Sequence, residues 1–171
     1  MRPIVIMAAV FAFAGCSGDA DDIGGSADRT ISGFGVSINL PPGWDGRIVK
    51  LEPNAATQVL AGNFSLPSAE DFLGAETAKA MGPQSLYVWA ADLGSDREHL
   101  QPGRWKETSL PIQIARADFG PFEGVASPVE AVQWAIVGEK AILVMVGFGA
   151  DQPSDDLIAE ANAVLATLAL D

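Results

Sequence analysis

Two groups of residues in this chain have the types and spacing to do chemistry. The first is the chain's only cysteine, Cys16, which directly follows Ala14-Gly15 at the end of an apolar run and precedes Ser17, Gly18 and Asp19. A lone thiol cannot close an internal disulfide, so it serves as an attachment point or a nucleophile, or it does nothing. The second is a cluster of cations, Arg97, His99, Arg104 and Lys106, around Trp105. Tryptophan and arginine are the side chains most enriched where protein partners meet, which makes Arg104, Trp105 and Lys106 a candidate partner-binding group. The competing reading is that Trp105 folds over an open sheet edge while the cations stay hydrated.

Other chemistries lack their parts. His99 is the only histidine, and imidazole catalysis or metal binding needs it oriented by positioned partners, so Asp96-Arg97-Glu98-His99 reads as a solvated loop. No His-Glu-x-x-His, Cys-x-x-Cys, Gly-x-Ser-x-Gly or phosphate-loop pattern occurs. The Asp19 to Gly24 run has isoleucine at the fifth position of a calcium loop and threonine at the twelfth, where oxygen-rich ligands belong. A pair of carboxylates remains open among 22 acidic residues, since sequence alone does not say which of them face each other. No catalytic residue, metal or cofactor is assigned, and the chain is not read as an enzyme.

What positions Cys16 is a targeting segment. Arg2 with the amino terminus gives a positive start, Pro3 to Ala12 an apolar stretch, and small residues a cleavage site. Polarity returns at Ser17, well short of the roughly 20 apolar residues that span a bilayer. Phe13-Ala14-Gly15-Cys16 resembles the lipobox of bacterial lipoproteins, with Phe13 where the family usually has an aliphatic residue. The resemblance implies that residues 1–15 are removed and that Cys16 carries diacylglycerol, its partner being membrane lipid and the domain lying outside the cytoplasm. Ala12-Phe13-Ala14 also fits ordinary signal cleavage, which would release a soluble protein.

The formal net charge is −12, and the few lysines and arginines are scattered, which argues against nucleic acid and anionic lipid as partners. Residues 16–30 have the Ser, Gly and Asp content of a flexible acidic tether with a reach of about 20 Å by random-coil scaling. Residues 31–171 form one domain, large enough to bury about two-thirds of its unfolded surface without disulfides.

Within that domain, Val36, Ile38 and Leu40 alternate with polar residues as a strand, and Pro41-Pro42-Gly43 turns it. Gly46 to Leu51 and Thr57 to Leu66 read as strands joined by a turn at Glu52-Pro53-Asn54. Ser68 can cap a weak middle helix from Ala69 that ends at Gly82-Pro83. Ser85 to Ala91 is apolar on both faces, as a central strand should be. The stretch from Leu93 to Thr108 has no periodicity, Leu110 to Ala117 alternates as a strand, and Phe119 to Gly124 reads as a turn-rich connection. Val129 to Val137 and Ala141 to Phe148 form a hairpin. Leu157, Ile158, Ala161, Val164, Leu165 and Leu168 recur at helical spacing behind Ser154, Asp155 and Asp156. The pattern predicts an α+β domain: a mostly antiparallel sheet with a C-terminal amphipathic helix packed on one face. Trp44, Trp89 and Trp134 sit in or beside these strands as core anchors.

Gly35 to Trp44, a strand running into Pro-Gly-Trp, together with the closing helix at Leu157 to Leu168, resembles the PsbP-like superfamily, including LpqN-type bacterial lipoproteins. The resemblance implies an α/β/α sandwich that binds partners rather than catalyses, and it carries over no site residue. The expected function is therefore a non-catalytic binding or adaptor module in the cell envelope, with a protein partner. The alternatives are a carrier of a small apolar ligand between the sheet and the C-terminal helix, or a carboxylate-based hydrolase.

Overall fold

The computed structural model describes residues 28–51, 56–68, 75–95, 103–120 and 127–171. The chain is α+β, mostly antiparallel sheet with few helices. Strands β1 (Arg29–Gly33) and β2 (Val36–Leu40) form a hairpin that β10 (Ala169–Leu170) extends into a small three-stranded sheet. The large sheet runs β3 (Asp45–Leu51), β4 (Ala56–Gly62), β5 (Leu86–Asp92), β9 (Lys140–Phe148), β8 (Val129–Val137) and β6 (Lys106–Thr108). The two-residue β7 (Phe119–Gly120) also pairs with β8. Every pairing is antiparallel except that of β6 with β8.

The apolar runs sort by face. In β5 and β9, the two most central strands, Leu86, Val88, Ala90, Ile142, Val144, Val146 and Phe148 point to one core, and Tyr87, Trp89, Ala91, Leu143 and Met145 to another. Two buried faces require apolar residues at every position, which is why these strands read as continuous rather than alternating. The first core is closed by helix α2 (Asp155–Leu165), whose Leu157, Ala161, Val164 and Leu165 are at most 5% exposed. Burying side chains of the size of leucine or valine contributes roughly 1.5–3 kcal/mol each, so the amphipathic stripe holds the helix in place. Ser154 caps it as predicted, its hydroxyl accepting from the Leu157 N–H at 3.2 Å. Trp44 joins this core and donates to Glu160 of α2 at 3.0 Å.

The second face is packed by Phe64, Leu66, Met81, Trp105 and Trp134. The described part of the middle helix is α1 (Ala75–Ala80), with Thr77 buried. Residues 69–74, where that helix was expected to begin, and the predicted turn at Glu52-Pro53-Asn54 lie outside the described residues, as do Cys16 and the tether up to residue 27; Arg29 and Thr30, expected in the tether, belong instead to β1, where they pair with Leu40 and Asn39.

The structure corrects four readings. Leu110 to Ala117 is not a strand. Ile112 and Ile114 are buried in the first core, which produces the alternation. Instead of a sheet ladder, the Asn162 side chain of α2 takes up the backbone of Ile114, accepting from its N–H at 2.8 Å and donating to its C=O at 3.0 Å. Lys106–Thr108 is a strand inside the stretch that showed no period, and Phe119–Gly120 is a short strand rather than wholly turn. The β1–β2 hairpin turns at Phe34-Gly35, both at positive φ, and its first strand begins at Arg29.

Candidate functional site

Of the predicted site residues, the structure brings Arg104, Trp105 and Lys106 together at the β6 margin of the large sheet, while Arg97 and His99 lie outside the described residues. The local fold explains the grouping. Pairing of Lys106 with Ala135 in parallel register places the preceding Trp105 beside Trp134 on the second face. The two indoles meet edge to face, with centroids 5.0 Å apart at 83°. Such a pair is worth about 0.5–1.5 kcal/mol beyond the area it buries. The Arg104 guanidinium lies over the Trp134 ring at 5.7 Å from its centroid, a cation–π contact that fixes an otherwise exposed cation.

Sequence reasoning treated Trp134 as a core anchor equivalent to Trp44 and Trp89, and here the structure separates them. Trp44 and Trp89 are buried, and their N–H groups are used internally, on Glu160 and on Gln58, each at 3.0 Å. Trp105 and Trp134 are only half-buried, and neither indole N–H donates to a protein group among the described residues. A tryptophan with one apolar face seated and its polar edge open is the form found at interfaces. Nothing in the sequence distinguishes the two pairs, because the difference lies in which neighbour supplies an acceptor.

The cations show the same asymmetry. Arg47, Lys79, Arg116 and Lys140 each have a carboxylate at 2.5–3.9 Å. Arg104 and Lys106 have none among the described residues, and neither do Arg29 and Lys50; what sets Arg104 and Lys106 apart is that they flank two tryptophans with open N–H groups. Lys106, Glu107 and Thr108 are all exposed, and a small groove of about 160 Å³ runs between them and Ile112, Gln113 and Gln133. Two larger open grooves lie elsewhere: about 460 Å³ beside Arg29, Trp44 and Phe64, and about 580 Å³ beside Leu110, Val137 and Leu170. None of these three is lined by α2, whose Leu157, Ala161, Val164 and Leu165 pack into the first core.

A second polar cluster is buried and was not read from the sequence. Register sets Tyr87 of β5, Gly147 of β9 and Glu130 of β8 in one row across the sheet. Because residue 147 is glycine, the Tyr87 ring lies across it; a Cβ there would stand 2.2 Å from the ring. Tyr87 thereby reaches Glu130, donating at 3.4 Å, while the Ser127 hydroxyl donates to the same oxygen at 2.6 Å. Burial, and secondarily the Glu130 charge, push the Tyr87 phenol well above its ordinary pKa, so it stays a donor. With Tyr87 at 0% and Glu130 at 2% exposure, no substrate reaches this row. It ties β8 and the start of its strand to the sheet centre, a satisfied buried network that specifies register.

Among the described residues no group of three or more histidine, cysteine, aspartate or glutamate side chains is placed to hold a metal ion. No helix among them is long and apolar enough to cross a membrane. Comparison with protein-family models and with curated proteins finds no match for this chain.

Proposed function

We propose that this chain is an exported lipoprotein, held to the membrane by lipid on Cys16, whose PsbP-like domain is a non-catalytic binding module that engages an envelope protein through Arg104, Trp105, Lys106 and Trp134. The observation that carries the reading is the contrast among the tryptophans. Two have their N–H groups satisfied inside the fold, and two keep them open beside two cations that lack carboxylates. Among the described residues no buried side-chain polar atom lacks a partner, so the open groups lie at the surface, where a partner can reach them. Anchoring through acyl chains, each buried methylene worth about 0.8 kcal/mol, leaves this edge free of any membrane-binding duty.

The test is cross-linked pulldown from native membranes with wild type, the Arg104→Glu/Trp105→Ala double variant and a Lys50→Glu control, Lys50 being an exposed cation on β3. With melting temperatures showing all three folded, the account expects a partner recovered by wild type and the control and lost with the double variant. Equal recovery by all three would overturn the site. The anchor is read separately from the native N-terminal peptide, which should begin at Cys16 and carry diacylglycerol. Retained Met1, or a start at Gly15 with an unmodified thiol, would remove it.

A further inference from the structure

We infer that the partner presents an extended acidic segment, which adds to the large sheet as a strand along β6. This inference rests on the proposed function above and specifies the chemistry of its partner. Three observations carry it. First, β6 is an edge: Lys106, Glu107 and Thr108 pair with Ala135, Ile136 and Val137 of β8 on one side, and no other hydrogen bond of theirs is found among the described residues. A strand edge with open N–H and C=O groups is a template for a further strand. The other margin differs, since the β1–β2 hairpin packs beside β3.

Second, the edge carries more fixed donors than acceptors: Glu107 is the one carboxylate on β6, set between Lys106 and Thr108. The open indole N–H groups of Trp105 and Trp134, the guanidinium of Arg104 and the ammonium of Lys106 give hydrogen bonds and accept none. A carboxylate-rich segment supplies the acceptors they lack. Third, the alternation of an added strand matches their placement. Trp105 shares the second face with Trp134, while the neighbouring Lys106, paired with Ala135, lies on the α2 face. Acidic side chains on both faces of an incoming strand would therefore each meet a cation, Arg104 on one side and Lys106 on the other. Edge strands are commonly guarded by lysine against self-association, and here the same charge selects an acidic segment over another copy of a chain with net charge −12.

The experiment is a titration of the full-length, ¹⁵N-labelled protein with three synthetic ten-residue peptides, followed by amide and indole N–H resonances. The first peptide alternates pairs of valine with pairs of glutamate, which puts carboxylates on both faces of a strand, the second alternates pairs of valine and lysine, and the third is the glutamate peptide methylated on alternate backbone nitrogens. The inference predicts that the glutamate peptide shifts the amides of Lys106–Thr108 and the indoles of Trp105 and Trp134, but not those of Trp44 and Trp89. The lysine peptide should leave them unmoved. The methylated peptide should bind at least about tenfold more weakly, and Arg104→Glu or Lys106→Glu should each raise Kd by about fivefold, the scale of an exposed charge pair. Equal binding of the methylated peptide would overturn strand addition while leaving the cationic tryptophan patch as the contact. Binding of the lysine peptide, or of none, would overturn the acidic segment. The pulldown above decides independently whether the patch engages a partner at all.

Discussion

Replacing Gly147 by alanine tests the row that fixes the register of β5, β9 and β8. An alanine Cβ would stand 2.2 Å from Tyr87 Cε1, 2.3 Å from Cζ and 2.6 Å from the hydroxyl. Ordinary contacts between such atoms are near 3.5–4.0 Å, so the ring must move by more than 1 Å in a core where it is fully buried. Forcing one extra methyl into a packed core costs about 1–3 kcal/mol. The displaced phenol also loses its long, 3.4 Å hydrogen bond to the Glu130 carboxylate, which adds about 0.5–1.5 kcal/mol. Together these give about 2–4 kcal/mol, a large part of the roughly 5–15 kcal/mol that holds a domain folded. Urea unfolding monitored by tryptophan fluorescence measures it, because Trp89 lies in the same core as Tyr87. If the clash is with the ring, Gly147→Ala and Tyr87→Ala must be strongly non-additive, the double variant being more stable than the sum of the two losses predicts. A Gly147→Ala protein within about 0.5 kcal/mol of wild type, or simple additivity, would refute the packing argument.

Three further outcomes follow from the structure. Tyr87 has its folded pKa raised by burial above the ordinary phenol value near 10, so its contribution is full below about pH 10 and is lost as pH rises beyond that toward the folded value. Urea midpoints should therefore fall above about pH 10, and Tyr87→Phe should flatten that fall; the same alkaline slope in both proteins would contradict it. Phe34 is 61% exposed and sits at φ 52°, the left-handed region that costs a side chain of this kind about 1–2 kcal/mol. Phe34→Asn should raise stability by about 1 kcal/mol, seen as a higher unfolding midpoint, and a lower one would show that the ring makes contacts worth more than the strain. Asn162→Ala leaves both backbone groups of Ile114 without their partner and should cost about 2–3 kcal/mol by the same assay, whereas a loss under about 0.5 kcal/mol would mean that water replaces the side chain.

How much of this was legible depends on whether local pattern and long-range pairing agree. Helix α2 was read with its cap because Ser154, the two aspartates after it and the apolar spacing all point to one element. β9 and the central β5 were read because two-sided burial leaves Ala141 to Phe148 and Leu86 to Ala91 without polar interruptions, and β8, which carries Glu130 and Gln133, because Gly138-Glu139 turns it into β9. Leu110 to Ala117 misled because alternation reports burial of Ile112 and Ile114, not what their backbone bonds to, and the bonding partner is a side chain 48 residues away. β6 was invisible because a three-residue strand exposed on every side chain has no hydrophobic period. The candidate site was half legible: Arg104, Trp105 and Lys106 stand together in the sequence, but Trp134 joins them only through the parallel register of β6 on β8. Tyr87, Glu130 and Gly147 are scattered along the chain and meet only once three strands align.

The binding site itself is tested most directly by a photo-crosslinking amino acid placed at residue 105 or, as control, at residue 50, followed by illumination of intact cells. The account predicts a discrete adduct with another envelope protein from position 105 and none from position 50. Adducts of the same pattern from both positions, or none from 105 with the protein folded and exported, would contradict it.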